Sequence, residues 1–219
     1  ESVLYRSGLT IKTTLDPAVQ QAAQEAATET ANPDTTAGQV GHSMISLQPG
    51  TGKILSMAQN TRFIPGENPG DSVLNFNVDQ YQDGDPEKSL GGVGGFQPGS
   101  TYKPFTVAAW LDSGKTLNAT LNGNKRTYPA GHTWNASCLP GGRYAILDPW
   151  TPINYGDTNY RTTTVLEGLA QSLNTITLAS ANELDLCKFQ QMAFASGVHN
   201  GKSAAGEPEM LAVNPPSTF

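Results

Sequence analysis

Ser100-Thr101-Tyr102-Lys103 sets a hydroxyl and an amine three residues apart, on one face if the segment is helical. A serine is a weak nucleophile until a base lies within hydrogen-bond reach. A lysine serves as that base only when burial or neighbouring charge lowers its pKa toward neutrality. Gln97-Pro98-Gly99 reads as a loop entering a helix, which sets Ser100 at a helix N-terminus, where developing negative charge is favoured. Fifteen serines and eight lysines give about half a match by chance, so the isolated pattern reads as an N-cap serine beside a solvated lysine. Ser172-Leu173-Asn174 is a second polar pair, and chance supplies about one of its kind. Serine and asparagine within a helix compete for the backbone and mark a break, where side chains can turn into a cleft.

The elements that must position these residues follow from local signals. Residues 8–15 alternate and are β-branched, which predicts a strand. Asp16 as N-cap and Pro17 at the first helical position open a helix over 18–28. Residues 40–47 and 53–58 flank Gln48-Pro49-Gly50-Thr51-Gly52, a hairpin signal. Residues 60–99 read as a long loop, and loops of that length are usually functional or mobile. A helix is predicted from Ser100 to about Ser113, closed by Gly114, with Pro104 tolerated in its first turn. After irregular sequence over 117–160, Thr164-Val165-Leu166-Glu167 is a capping box that starts a second helix. A further helix covers 186–195 and ends at Gly197. Strands come first and helices later, which predicts an α+β fold, not alternating βαβ units.

The 219 residues suffice for one well-cored domain. A net charge of −6, with only Lys125 and Arg126 adjacent among the basic residues, argues against nucleic acid as a partner. No stretch approaches the ~18 consecutive apolar residues of a membrane helix. The opening Glu1-Ser2-Val3-Leu4-Tyr5-Arg6 has neither an initiator Met nor a signal pattern, so the sequence reads as beginning within a longer or processed protein. Cys138 and Cys187 are either free thiols or a bridge, and a bridge closing that loop would contribute ~4 kcal/mol on a chain-entropy model. His42, His132 and His199 are dispersed and form no zinc pattern with them.

Taken together, separated segments carry more than either motif. Pro98-Gly99-Ser100-Thr101-Tyr102-Lys103-Pro104-Phe105, followed about 70 residues later by Ala170-Gln171-Ser172-Leu173-Asn174-Thr175, resembles the transpeptidase domain of penicillin-binding proteins. The segment from Gly8 through Asp16-Pro17 to Ala23 resembles the lead into this domain in the bifunctional, class A type, and Ile45 to Leu55 resembles its first hairpin. The resemblance implies helices packed on a mainly antiparallel sheet, with the Ser100 helix at the centre. It implies residues 1–15 as a lead-in and 16–219 as the N-terminal part of the domain. The family's third motif, Lys-Thr/Ser-Gly, is absent; Gly201-Lys202-Ser203-Ala204 lacks the glycine and follows Ser172 too soon. Asn214-Pro215-Pro216-Ser217-Thr218 resembles the stretch shortly upstream of that motif. The expectation is therefore an incomplete domain and a companion polypeptide carrying the rest.

The resemblance further implies a D-Ala-D-Ala transpeptidase that cross-links peptidoglycan stem peptides. Ser100 would be the nucleophile, Lys103 its base and Ser172 the proton relay to the leaving amine. Asn174 would hold the substrate amide and orient Lys103. β-Lactams would acylate Ser100. No metal or organic cofactor is implied. The location is the extracytoplasmic face of a bacterial cell membrane, with the anchor outside this chain and a glycosyltransferase domain upstream, and that location favours a Cys138–Cys187 bridge. The rivals are a D,D-carboxypeptidase, a serine β-lactamase and a non-catalytic penicillin-binding module. A class A β-lactamase activates water with a Glu-x-x-Leu-Asn segment, and none follows Asn174. Trp110 reads as core. Tyr155, Asp157 and Tyr160 read as solvated loop sooner than cleft, and Trp134, Trp150 and Tyr144 as a cleft wall.

Overall fold

A computed structural model describes residues 7–35, 40–66, 68, 70–82, 85–202 and 208–215, and the chain divides into two units, 1–95 and 96–219. In the first, Asp16 accepts hydrogen bonds from the N–H groups of Ala18 and Val19 at 2.9 and 3.2 Å and starts α1 (Pro17–Thr30). The predicted hairpin is β1 (Ser43–Leu47) against β2 (Ile54–Gln59), antiparallel, with Gly50 and Gly52 at positive φ in its turn. Helix α1 packs on β2 and meets its free edge with side-chain amides. Gln20 donates to the Met57 carbonyl and accepts from the Met57 N–H, both at 2.9 Å, and Gln24 donates to the Gln59 carbonyl at 2.8 Å. The spacing explains the match: four helical residues rise ~6 Å and two strand residues ~6.8 Å.

That occupied edge also explains a departure. Residues 8–15 form no strand; Thr14 Oγ1 and the Asp16 N–H reach only the carbonyls of Ile54 and Leu55, at 2.6 and 2.9 Å. A strand needs a partner edge, and β-propensity alone does not supply one. The predicted loop from 60 to 99 carries β3 (Arg62–Phe63), β4 (Asp71–Ser72), β5 (Asn75–Asp79) and β6 (Gly92–Val93), joined as two short parallel pairs. Arg62 ties this region together through Asp71, at 2.7 Å, and Asp34.

In the second unit, a 3₁₀ turn over Gly99–Tyr102 leads into α2 (Lys103–Asp112). The helix thus opens three residues after the predicted Ser100. Pro104 is the cause: its ring would clash with the carbonyl of residue 100 in a continuous α-helix, and a proline is accommodated in the first turn. Strands β7 (Thr120–Asn122), β8 (Thr133–Asn135), β9 (Arg143–Ala145) and β10 (Thr162–Thr164) precede α3 (Val165–Ala170), α4 (Asn174–Ala181) and α5 (Leu186–Ala195). Two further strands, β11 (Asn200–Lys202) and β12 (Pro208–Glu209), close the order. The fold is α+β. Four of the six strand pairs are antiparallel, but among the described residues they stay separate pairs, not one sheet. Parts of the two stretches 201–204 and 214–218 lie outside the described residues.

Helix α2 packs against α3, α4 and α5 around Tyr102, Trp110, Ile176, Leu178 and Phe189, all buried. Trp110 is core as predicted, and its indole N–H donates to the Thr116 carbonyl at 2.8 Å. Gly168 lets α3 approach α4: a Cβ there would stand 2.3 Å from Ile176 Cγ2. Asp185 caps α5 through the Cys187 N–H, and Gly197 ends it at φ +88. Cys138 and Cys187 form a disulfide that fastens the loop before β9 to α5. Trp134, Trp150 and Tyr144 do not build a wall beside Ser100. With Tyr128 and His132 they form an aromatic cluster, where Trp134 is 2% exposed. Large rings gain more from mutual burial than from lining an open cleft.

Candidate active site

The Thr164 hydroxyl accepts from the Glu167 N–H at 3.2 Å and starts α3, as the capping box predicts. Six residues later the helix stops. The Leu173 N–H bonds back to the Gly168 carbonyl at 2.8 Å and the Ser172 N–H to the Leu169 carbonyl at 3.0 Å, the two bonds of a Schellman motif. Ser172 sits at the position of that motif usually taken by glycine, with φ +54. A left-handed L-residue costs ~1–2 kcal/mol, and strain of this kind gathers at functional sites. Here it directs the Ser172 hydroxyl and carbonyl toward α2.

They meet Lys103. Its Nζ donates to Ser100 Oγ at 3.1 Å, to Ser172 Oγ at 2.9 Å and to the Ser172 carbonyl at 2.6 Å. The Ser172 hydroxyl donates to Ser100 Oγ at 3.0 Å, closing a triangle. Three acceptors match the three protons of an ammonium group. Lys103 is nevertheless 2% exposed, and burial lowers its pKa from 10.5 to about 8. About a tenth of the molecules then carry a neutral amine at pH 7, with a lone pair within reach of the Ser100 hydroxyl. The same burial pushes the neighbouring Tyr102 hydroxyl up to about 12.

Asn174 opens α4 beside this triangle, but its amide points elsewhere: Nδ2 donates to the Ile153 carbonyl at 2.7 Å. Lys103 is oriented by both serines, not by Asn174. Ser100, Ser172 and Asn174 line a cleft of about 670 Å³ whose other wall is Ile153 to Gly156, with Gln171 at its rim. Tyr155 stands on that wall, 99% exposed. Of the three loop residues named from sequence, Tyr155 therefore lines the cleft, whereas Asp157 pairs with Lys125 at 2.6 Å and accepts from Tyr160. Ile153 and Asn154 escaped the sequence reading. The available signal was an Asn-Tyr-Gly-Asp turn before a helix whose cap position, Leu173, has no side-chain acceptor.

A hydroxyl, a buried amine and a second hydroxyl are joined by hydrogen bonds beside a cleft, an arrangement in which an amine of lowered pKa can take a proton from a serine. The family model of the penicillin binding protein transpeptidase domain matches residues 43–210, and the chain belongs to that family. PonA1 from Mycobacterium tuberculosis shares its fold, with a TM-score of 0.55 alone and 0.54 in complex with penicillin V. Identity is 18% in both comparisons, over 97% of this chain and about half of PonA1. Penicillin-binding protein A from M. tuberculosis, as an imipenem acyl-enzyme complex, superposes with a TM-score of 0.51 at 22% identity, over 84% of this chain and 39% of that one. No curated protein matches the sequence. The chain spans about half the length of the PonA1 structures. Among the described residues no helix is long and apolar enough to cross a membrane.

Proposed function

We propose that this chain carries the acylation chemistry of a D-Ala-D-Ala transpeptidase acting on peptidoglycan stem peptides outside a bacterial cell membrane. The observation that carries the reading is the Ser100–Lys103–Ser172 triangle around a buried amine. Neutral Lys103 takes the Ser100 proton as Oγ bonds to the carbonyl carbon of the penultimate D-alanine. The tetrahedral adduct collapses, the C–N bond to the terminal D-alanine breaks, and Ser172 relays a proton from Lys103 to the leaving amine. An amine of a neighbouring stem peptide then attacks the Ser100 ester carbonyl; the new amide bond forms, the ester C–O bond breaks, and the proton that the amine gives up passes to Ser100 Oγ. Asn174 holds the donor peptide by an amide hydrogen bond, for which its Nδ2 must leave Ile153. A β-lactam follows the first half of this path and remains on Ser100, in line with the penicillin V complex of PonA1.

Intact-mass measurement before and after benzylpenicillin tests this. The expected result is a gain of one drug mass, mapped to Ser100 and lost in Ser100→Ala. Labelling that survives in Ser100→Ala would refute the assignment of the nucleophile.

A further inference from the structure

Every α-helix leaves the N–H groups of its first turn without intrahelical partners, and a local side chain normally takes one of them. Helix α4 begins at Asn174, and the residue at its cap position, Leu173, makes no such bond. The acceptor comes from across the cleft. Asn154 Oδ1 accepts from the Thr175 N–H at 3.1 Å and lies 3.3 Å from Thr175 Oγ1. Asn154 is 2% exposed, its Nδ2 donates to the Asn159 carbonyl at 3.2 Å, and its own N–H donates to the Tyr160 hydroxyl at 3.3 Å. The neighbouring Ile153 carbonyl is the group that holds Asn174 Nδ2. Two adjacent residue pairs thus clasp each other. The Asn174 side chain grips the backbone of Ile153, and the Asn154 side chain grips the backbone of Thr175.

We propose that Asn154 is a positioning residue for this site: by capping α4 from the cleft wall it fixes where the Asn174 amide stands. A cap at position 173 would start the helix equally well but would leave the wall free. A borrowed cap makes the width of the cleft and the placement of the motif one structural event. When a ligand amide takes Asn174 from Ile153, one bond of the clasp is released and the Asn154 bond still holds wall to helix. The inference rests on the proposed function for its catalytic consequence, and on geometry alone for the placement of Asn174.

The test uses the whole chain with two substitutions. Asn154→Leu removes the cap, and Asn154→Asp keeps the acceptor for Thr175. Two readouts are taken: the side-chain amide NMR signal of Asn174, and the benzylpenicillin acylation rate in the parental and Asn174→Ala backgrounds. Asn154→Leu is expected to move the Asn174 signal and to slow acylation at least tenfold in the parent, but less than threefold in Asn174→Ala. Asn154→Asp is expected to restore most of both. An unmoved Asn174 signal overturns the proposal, and so does equal slowing in both backgrounds, which would mark a general loss of structure. If the parental chain takes no drug, the proposed function fails. A signal that moves in Asn154→Leu would still uphold the positioning, and one that does not would overturn it as well.

Discussion

If neutral Lys103 is the base that activates Ser100, the rate of acylation by benzylpenicillin must follow the titration of Lys103. Burial takes this group from 10.5 to about 8, a change that corresponds to about 3 kcal/mol against its charged form. The neutral fraction is then about 0.09 at pH 7 and about 0.9 at pH 9, so the rate constant rises about tenfold between those values and levels off above pH 9. An unburied lysine would give about a hundredfold rise over the same interval and no plateau. Stopped-flow acylation under pseudo-first-order conditions from pH 6 to 9.5 separates the two. A flat profile through pH 8 would refute the assignment of Lys103 as the base, and a rise that continues tenfold per unit above pH 9 would refute its lowered pKa. Folding stability, read by denaturant unfolding across pH, moves with a defined sign as well. Between about 8 and 10.5 the unfolded chain holds the Lys103 proton more tightly than the folded one, so stability rises with pH through that window. Tyr102, raised to about 12 by burial, acts oppositely above pH 10, because there the unfolded chain loses its proton first.

Two substitutions examine the other supports of the site. Ser172→Gly and Ser172→Ala both lose the hydroxyl and should acylate at least a hundredfold more slowly. The glycine variant should be the more stable of the two by ~1 kcal/mol, because φ +54 suits glycine; equal denaturant midpoints would show that Ser172 stores no strain. Replacing Cys138 and Cys187 together by serine opens a bridge over a sequence separation of 49 and should cost ~4 kcal/mol in guanidinium unfolding. A loss below ~1 kcal/mol would mean that the unfolded chain is not constrained by that link.

The parts legible in the sequence were those set by local chemistry. Asp16-Pro17, Thr164 with Glu167, and Gly197 act within a few residues of themselves, and each start or stop falls where those residues put it. The turn 48–52 between β1 and β2 is of the same kind. What could not be read was decided at a distance. Residues 8–15 have strand-like composition, yet the edge they would use is occupied by Gln20 and Gln24. Trp134 and Trp150 read as a cleft wall, but contacts with Tyr128 and His132, distant from the motifs, gather them into a cluster instead. In the site, the spacing of Ser100 and Lys103 predicts their contact. The route from Ser172 to Lys103 runs through a left-handed residue that no serine announces. Leu173 at a helix start was the one visible sign that a capping group had to arrive from elsewhere, and Asn154 is it.

The glutamines of α1 have a consequence beyond the hairpin they hold. A primary amide carries the same donor and acceptor as a peptide group, so Gln20 offers Met57 what a third strand would offer, but from a helix that cannot be extended sideways. An exposed strand edge is a template on which a second chain can add its own strand, and repeated addition is how sheets grow into fibres. On β2 the template is already filled, at Met57 by Gln20 and at Gln59 by Gln24, with Thr14 and Asp16 at the near end. On its β2 side the hairpin therefore ends in a border that another copy cannot read, drawn with two side chains one helical turn apart.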